Sequence, residues 1–295
     1  MRLCRLVADG GRRIVKLLWL PGFLEMDEAV TFPPKRTTGL VARGVAGFAG
    51  AVGQLLFPPV CAGCHAAVGR GHSVCATCWA GITFIEPPFC AVLGTPFAYD
   101  IGEGMLSPEA IAEPPPFARL RAAVLYDGLA ARLVASLKYG DRTDLAVLMA
   151  GWMARAGHEL VETADLVVPV PLHRGRLWRR RFNQAAELAR LLVRVETRRG
   201  HAIAYAPTAL VRGKATRSQV GLGREMRRAN VRGAFAVPPR WKPSLAGKRV
   251  LLVDDVFTTG ATVASATRAL KRAGVAEVDV LCFARVAVGE GAVHI

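Results

Sequence analysis

The chain has 295 residues, 52% of them hydrophobic, and carries a formal net charge of +16. A chain of this length can bury one large core, or one core and a small module. The basic surplus fits a polyanionic partner such as nucleic acid, a phosphorylated substrate or acidic lipid. A genomic bias toward arginine explains the charge equally well, because the arginines are spread along the whole chain.

The N-terminal part contains two apolar stretches, and neither fits a transmembrane helix. Residues 44–60 are uncharged but rich in glycine and too short to cross a bilayer comfortably. Residues 14–24 are fewer still, and acidic residues follow them where a signal peptide would have its cleavage site. We therefore expect a cytoplasmic protein with no membrane span, a poorly structured extension over residues 1–39, and a start at either Met1 or Met26.

Residues 40–106 are expected to hold an amphipathic helix, over about 40–56, followed by a zinc module. Two C-x-x-C pairs lie here, separated by ten residues. Four thiolates at this spacing can surround one tetrahedral zinc ion, whereas disulfides are disfavoured in a reducing compartment. Because the four cysteines fill the coordination shell, we predict a structural zinc site. Its ligands are Cys61, Cys64, Cys75 and Cys78.

Two histidines and a fifth cysteine near this module are not assigned to the metal. His65 and His72 lie between the two pairs and could replace a thiolate, but four cysteines are already available. Cys90 begins a further knuckle-like sequence, yet Leu93 occupies the position of its second ligand. One cysteine cannot complete a second site of this type, so Cys90 is predicted not to bind metal.

A proline-rich linker over residues 107–118 is expected to connect the zinc module to a larger domain over residues 119–295. Short apolar runs in this domain predict strands, and apolar residues at helical spacing predict helices. The strands are predicted at 121–126, 166–170, 250–253 and 278–284, and the helices near 129–139, 145–157, 183–192 and 262–273. The residues predicted to share the apolar face of each helix are, in the same order, Leu129, Leu133, Val134 and Leu137; Leu145, Leu148 and Trp152; Phe182, Ala185, Ala189 and Leu192; and Val263, Ala266, Leu270 and Ala273.

The loop 171–181 follows the second of these strands and is rich in arginine. Several guanidinium groups at the end of a core strand suit a pyrophosphate, whose charge needs neutralisation by several donors. An exposed nucleic-acid patch is the alternative, and the two uses are compatible. The arginines are Arg174, Arg176, Arg179, Arg180 and Arg181.

The most informative stretch is residues 249–262, RVLLVDDVFTTGAT. Asp254 and Asp255 follow a strand with the composition of one buried on both faces, at the end where open α/β sheets bind ligands. The Thr-Thr-Gly-Ala-Thr turn at 258–262 opens a helix, whose N-terminus favours phosphate. An acid pair beside such a turn indicates a sugar phosphate. An ordinary Rossmann-like turn is the alternative, while the lack of a G-x-x-x-x-G-K-[ST] motif argues against a P-loop hydrolase.

This stretch resembles the phosphoribosyl-pyrophosphate (PRPP) motif of type I phosphoribosyltransferases, and the chain from about residue 57 onward resembles the ComF family. The chain departs from the family pattern at one position of the motif Arg-Gly-Phe-Asn-Gln, where Arg181 replaces the glycine. An arginine adopts positive φ less readily than glycine, so the backbone before Phe182 is expected to differ from the family pattern. The matching segments are the paired C-x-x-C module, Leu-Lys-Tyr at 137–139, Val-Pro-Val-Pro-Leu at 168–172, Arg-Arg-Phe-Asn-Gln at 180–184, the Arg…Gln…Arg…Asn…Phe pattern of 212–235, and Val-Asp-Asp-Val-Phe-Thr-Thr-Gly-Ala-Thr at 253–262.

The resemblance implies a type I phosphoribosyltransferase-like α/β fold, with an open, mainly parallel sheet flanked by helices and preceded by the small Cys4 zinc module. It implies that Asp254 and Asp255 bind the ribose hydroxyls of PRPP at the catalytic centre. It assigns the 5′-phosphate to Thr258, Thr259, Gly260, Ala261 and Thr262. It assigns the pyrophosphate with its Mg²⁺ ion, or DNA, to Arg174, Arg179, Arg180 and Arg181.

The resemblance also implies a cellular role. ComF proteins take part in natural competence, handling incoming single-stranded DNA in the cytoplasm beside a helicase, so PRPP, single-stranded DNA and a competence helicase are the expected partners. The alternative is a phosphoribosyltransferase that acts on an unidentified nucleobase or amine and has no role with DNA. A zinc-dependent transcription regulator is disfavoured, because no recognition helix stands out.

Overall fold

The computed structural model divides the chain into two units, Met1–Val52 and Gly53–Ile295. It describes residues 8–9, 12–13, 58–100, 102, 104–139, 142–173, 175, 177, 182–213 and 233–287. In the first unit, strands β1 (Ala8–Asp9) and β2 (Arg12–Arg13) pair antiparallel. They lie in the extension expected to be poorly structured, and the helix expected at 40–56 falls outside the described residues.

The second unit contains seven described strands, five of which form one sheet. They are β3 (Leu120–Leu125), β4 (Leu166–Pro169), β5 (Ala204–Tyr205), β6 (Val211–Arg212), β7 (Phe235–Ala236), β8 (Arg249–Phe257) and β9 (Glu277–Arg285).

The five-stranded sheet has the order β3–β9–β8–β4–β5, and every adjacent pair is parallel. Strands β6 and β7 pair antiparallel as a separate two-stranded sheet. Because the strands of the large sheet are parallel, their carboxyl ends meet at one edge. The parallel sheet expected from the sequence is confirmed, with β8 at its centre.

Helices cover both faces of this sheet. The described helices, of which α3, α4, α6 and α8 pack on the sheet, are α1 (Ala76–Ala80), α2 (Pro108–Ala112), α3 (Gly128–Tyr139), α4 (Leu145–Ala156), α5 (His158–Thr163), α6 (Gln184–Arg198), α7 (Lys242–Leu245), which follows a 3₁₀ turn at Pro239–Trp241, and α8 (Ala261–Arg272). Within the described part of the chain, no helix is both long and apolar enough to cross a membrane. Helix α2 lies inside the stretch expected to be a plain linker, and the Ser107 side chain caps it by accepting from the Ala110 N–H.

The alternation of β8 divides the core into two layers. Leu251 and Val253 point to the layer formed with α3, α4 and α6, whereas Val250 and Leu252 point to the layer that includes α8. All four side chains are at most 1% exposed, so both faces of β8 are buried. This explains why its sequence is an uninterrupted apolar run rather than an alternating one.

The predicted helices are confirmed, with one buried face predicted only in part. The apolar faces predicted for α3, α6 and α8 are buried, apart from Phe182 and Ala273, which lie just outside the helix ends and are half-buried. In α4 the predicted face was Leu145, Leu148 and Trp152. Leu145 is buried as predicted, but Leu148 and Trp152 are half-buried, and Met149 and Met153 occupy the core. Trp152 is half-buried because it contacts Trp79 of the cysteine-rich module, with ring centroids 5.9 Å apart.

Asn183 fixes the entry to α6 with two hydrogen bonds. Its Oδ1 accepts from the Ala185 N–H at 3.2 Å, and its Nδ2 donates to the Val170 carbonyl at 3.0 Å, at the end of β4. We expect Asn183→Ala to lower the free energy of unfolding by about 1–2 kcal/mol, the usual effect of removing an N-cap. Urea unfolding measures this change. Asn183→Asp keeps the capping oxygen, so its free energy of unfolding should lie between those of wild type and Asn183→Ala. An alanine variant as stable as wild type would contradict the capping role.

Candidate functional site

The turn between β8 and α8 exposes the N-terminus of a 12-residue helix. The Ala264 N–H donates to the Gly260 carbonyl at 2.9 Å, which closes the first turn of the helix, and N–H groups at a helix N-terminus point out along the helix axis. Gly260 has φ +73°, and a Cβ there would lie 3.0 Å from carbons of the Phe257 ring. The turn therefore requires glycine, and a helix N-terminus of this kind favours an anion.

A buried hydroxyl in the same turn lacks a partner within the described part of the chain. Thr259 Oγ1 is inaccessible to solvent and makes no hydrogen bond to any described residue. Buried polar atoms of this kind usually have a partner, and a phosphate oxygen would supply one here. The turn thus fits a phosphate group by two separate features, the orphaned hydroxyl and the glycine at positive φ.

Asp254 and Asp255 lie inside β8, a few residues before the turn that begins at Thr258, and not beyond the end of the strand. The predicted strand stopped at Val253, but the ladder continues to Phe257, with Asp254 opposite Cys282 of β9. Both carboxylates remain half-buried at the carboxyl edge of the sheet. The Asp255 N–H donates to Asp254 Oδ1 at 2.9 Å, so the two acids are locked together.

Lys138, at the end of α3, is a site residue that sequence reasoning missed. Its Nζ lies 3.0 Å from Asp255 Oδ2, and the two side chains are 21% and 14% exposed. An ion pair at this exposure is only partly screened by solvent, so Lys138 stabilises the negative charge of the acid pair. The available signal was the Leu-Lys-Tyr motif, in which a cation ends an otherwise apolar helix.

The surroundings of Asp254 hold its proton unusually tightly. Burial and the negative charge of Asp255 raise the pKa of Asp254 to about 7, although the Asp255 N–H, Lys138 and Arg212 act in the opposite direction. Arg212 is buried in β6 and lies over the Phe235 ring, 5.2 Å from its centroid. Two cations therefore converge on the acid pair from different elements.

A cavity of about 700 Å³ adjoins the phosphate turn and extends along α8. The acid pair is not part of its lining. One wall consists of the turn and three arginines, and the other comes from residues of the stretch 93–117, which precedes β3. The lining includes Thr258, Thr259, Gly260, Ala261, Arg268, Arg272 and Arg285 on one side, and Leu93, Thr95, Glu109 and Pro114 to Phe117 on the other.

The arginines predicted to bind pyrophosphate or DNA, Arg174, Arg179, Arg180 and Arg181, lie outside the described residues. Of the residues predicted for the 5′-phosphate, Thr258 to Ala261 line the cavity. Thr262 follows in the first turn of α8. The structure thus brings the predicted phosphate turn and acid pair to one edge of the sheet.

The four predicted zinc ligands converge. The Sγ atoms of Cys61, Cys64, Cys75 and Cys78 all lie within 4.8 Å of one another. Burial opposes ionisation of Cys61, but N–H groups of Cys75, Cys64 and Gly63 outweigh it and lower its pKa to about 6. Burial and the neighbouring thiols raise the pKa of Cys78 to about 12, so metal binding would release its proton. Four thiols at this spacing fit one tetrahedral zinc ion.

Comparisons with known proteins agree with both parts of this arrangement. Residues 52–110 match the Double zinc ribbon domain, and residues 185–294 match the Phosphoribosyl transferase domain. The DNA utilization protein YhgH of Escherichia coli K12 is 31% identical over 239 residues, which cover 79% of this chain and 99% of that protein. The chain belongs to the ComF family. Competence protein F of Haemophilus influenzae is 36% identical over 45% of this chain and 55% of its own length.

Among solved structures, the glutamine PRPP amidotransferase of B. subtilis shares 22% identity with this ComF protein. The match covers 49% of this chain and 29% of that one, with a TM-score of 0.30. The family assignment therefore rests on the sequence relatives and the two domain matches. The predicted family and fold class are confirmed.

The raised pKa of Asp254 predicts a pH-dependent stability. Because its folded-state pKa of about 7 exceeds the ordinary value of 3.8, its contribution is fully present below about pH 4 and is lost as the pH rises toward 7. Asp254→Asn, which mimics the neutral acid, should gain stability relative to wild type by a few kcal/mol between pH 4 and 8, at about 1.4 kcal/mol per pKa unit. Urea unfolding at several pH values measures the difference. A difference that is constant with pH would contradict the raised pKa.

Proposed function

We propose that this ComF protein binds PRPP with Mg²⁺ at the carboxyl edge of its parallel sheet and uses that site in the cytoplasmic handling of single-stranded DNA. The observation that carries the proposal is the placement of Asp254 and Asp255 beside an anion-binding helix N-terminus on one strand and its following turn. PRPP presents vicinal hydroxyls and a 5′-phosphate, and these two features match the acids and the turn.

Each part of the site has a physical task in this proposal. The carboxylates accept hydrogen bonds from the ribose hydroxyls, and charge-assisted bonds of this type are stronger than neutral ones. The amides at the start of α8 and the Thr259 hydroxyl hold the 5′-phosphate. Mg²⁺ would be held by pyrophosphate oxygens and would neutralise part of their charge. Lys138, whose Nζ lies 3.0 Å from Asp255 Oδ2, balances part of the negative charge of the acid pair.

The DNA role is supported by the relatives and by charge. The Escherichia coli relative is a DNA utilization protein and the Haemophilus influenzae relative a competence protein. A net charge of +16 favours sequence-independent binding of a polyanion, because neutralised phosphates release counterions. Residues 171–173, the start of the arginine-rich sequence 171–181, follow β4 at the same sheet edge as the acid pair.

Phosphoribosyl transfer to a nucleobase or amine is a second candidate function, favoured by the match of residues 185–294 to the Phosphoribosyl transferase domain. In that reaction the acceptor forms a bond to the anomeric carbon as the bond to pyrophosphate breaks. The protein would position the reactants and stabilise developing charge. Pyrophosphate release in the presence of PRPP and a panel of bases separates this function from binding alone.

Calorimetry with PRPP and Mg²⁺ tests the ligand. We expect the double variant Asp254→Asn/Asp255→Asn to bind at least about 100-fold more weakly than wild type, since each hydrogen bond to a charged group contributes about 1.5–3 kcal/mol. Wild-type affinity in a folded double variant would refute the proposed ligand site.

A charge-matched control uses acids at the opposite edge of the sheet. Asp165 precedes β4 and Glu277 begins β9, and both pair with basic residues there. Asp165→Asn/Glu277→Gln removes the same two charges and should leave PRPP affinity unchanged. A similar loss of affinity in both variants would indicate a general charge effect rather than a site.

Fluorescence anisotropy with a labelled oligonucleotide tests the DNA role. The variant Arg179→Ala/Arg180→Ala/Arg181→Ala should bind single-stranded DNA more weakly and with a shallower salt dependence. The log–log slope should change by up to about 0.7 for each DNA phosphate that the variant no longer neutralises.

The matched control removes three exposed arginines that lie in other elements. Arg194 and Arg198 lie toward the C-terminal end of α6, and Arg240 lies in the 3₁₀ turn that precedes β8. Arg194→Ala/Arg198→Ala/Arg240→Ala should reduce affinity much less. If the two triple variants lose the same affinity for single-stranded DNA, the loop has no specific role in DNA binding.

A further inference from the structure

The cysteine-rich module begins with a short loop around Cys61 that has a defined hydrogen-bond pattern. An antiparallel bridge joins Val60 to Ala67. Inside it, the Cys61 N–H donates to the Ala66 carbonyl at 2.7 Å, and the His65 N–H donates to the Cys61 carbonyl at 3.0 Å. His65 has φ +62°, which turns the chain back on itself. This is the first half of the zinc-binding lobe.

The same pattern recurs around Cys90. An antiparallel bridge joins Phe89 to Pro96, with the same spacing as in the first loop. The Cys90 N–H donates to the Thr95 carbonyl at 2.8 Å, and the Gly94 N–H donates to the Cys90 carbonyl at 2.8 Å. Gly94 has φ +58°, as His65 has a positive φ at the matching place. The chain therefore forms a second loop of the same design.

The second halves of the two lobes also correspond. In the first lobe the Cys75 N–H donates to Cys61 Sγ at 3.2 Å, and Cys75 caps helix α1. In the second lobe the Ser107 N–H donates to Cys90 Sγ at 3.2 Å, and Ser107 caps helix α2. The paired residues are 14 positions apart in the first lobe and 17 in the second, so the connecting segment alone differs in length.

This correspondence identifies the metal-ligand positions of the second lobe. Three residues after the capping position, the Cys78 N–H donates to Cys75 Sγ and the Ala110 N–H donates to Ser107 Oγ. Ala110 is also the last residue of the Double zinc ribbon match. The positions of Cys61, Cys64, Cys75 and Cys78 thus correspond to Cys90, Leu93, Ser107 and Ala110.

We infer that the second lobe of the double zinc ribbon folds without metal and that the protein carries a single zinc ion, in the first lobe. Structural zinc needs four cysteine or histidine ligands in tetrahedral arrangement. The second lobe offers one thiol, because a leucine, a serine and an alanine occupy the other three positions. These residues do not fit a zinc ion.

Protein contacts take the place of the metal. Cys90 is fully buried, and its sulfur accepts the N–H groups of Leu93 and Ser107, so it ties the two halves of the lobe together. The Leu93 carbonyl accepts a hydrogen bond from the Arg285 guanidinium. Arg285 lies at the end of β9 and is 1% exposed, and its guanidinium stands 5.6 Å from the centroid of the Phe257 ring.

These contacts explain why the lobe persists without its ion. Phe257 supports Gly260 of the phosphate turn, so Arg285 links that turn to the second lobe. Leu93 and Thr95 of the lobe then form part of the wall of the cavity beside the turn. The lobe therefore keeps the hydrogen-bond pattern of a zinc ribbon through protein contacts alone, and it also contributes to the wall of this cavity.

Metal analysis of matched variants tests the inference. Wild type should contain about one zinc ion per chain by mass spectrometry of the digested protein. Cys61→Ser should lose most of this zinc, whereas Cys90→Ser, the same change at the matching position, should retain it. About two zinc ions in wild type, or a loss of zinc in Cys90→Ser, would overturn the inference.

A restored site tests the correspondence directly. Leu93→Cys/Ser107→Cys/Ala110→Cys supplies four cysteines in the second lobe, and the zinc content should rise from about one to about two per chain. A folded variant that still holds one ion would show that the four positions do not converge and would overturn the proposed register. If this variant does not fold, the comparison of Cys61→Ser with Cys90→Ser decides alone.

Discussion

The site depends on the position of β8 at the centre of a parallel sheet. Its apolar residues are buried on both faces, which fixes the register of the strand against β4 and β9. A shift of one residue would move every side chain to the other face, so the core specifies where Asp254 and Asp255 lie. The two acids leave the core at the one edge where strands end and helices begin, and the phosphate turn follows at once.

Charge at this edge is balanced by residues from other elements. Burial disfavours the charged form of a carboxyl group, and two adjacent carboxylates repel each other. Both effects raise the pKa of Asp254 to about 7. Lys138 from α3 and Arg212 from β6 reduce the repulsion. A ligand with hydroxyl donors, or a cation, would therefore favour the ionised form of Asp254 when it binds.

The sequence predicted those features that depend on neighbouring residues. Helical spacing located the buried faces of α3, α6 and α8, and the order of strand, acids and turn located the site. Features that depend on distant contacts were not predictable. The buried face of α4 was only partly predicted, because Trp152 lies at the margin of the core, between Phe283 of β9 and Trp79 of the cysteine-rich module. The ion pair of Lys138 with Asp255 joins residues that only the folded sheet brings together.

The second lobe of the ribbon cannot be recognised from its metal-ligand motif. A search for metal ligands finds one lobe, because the other has a single cysteine. The hydrogen bonds of the backbone nevertheless repeat from Cys61 to Cys90 and from Cys75 to Ser107. Backbone pattern can outlast the ligands when the lobe has a second task, and contact with the end of β9 and the cavity beside the phosphate turn provides that task.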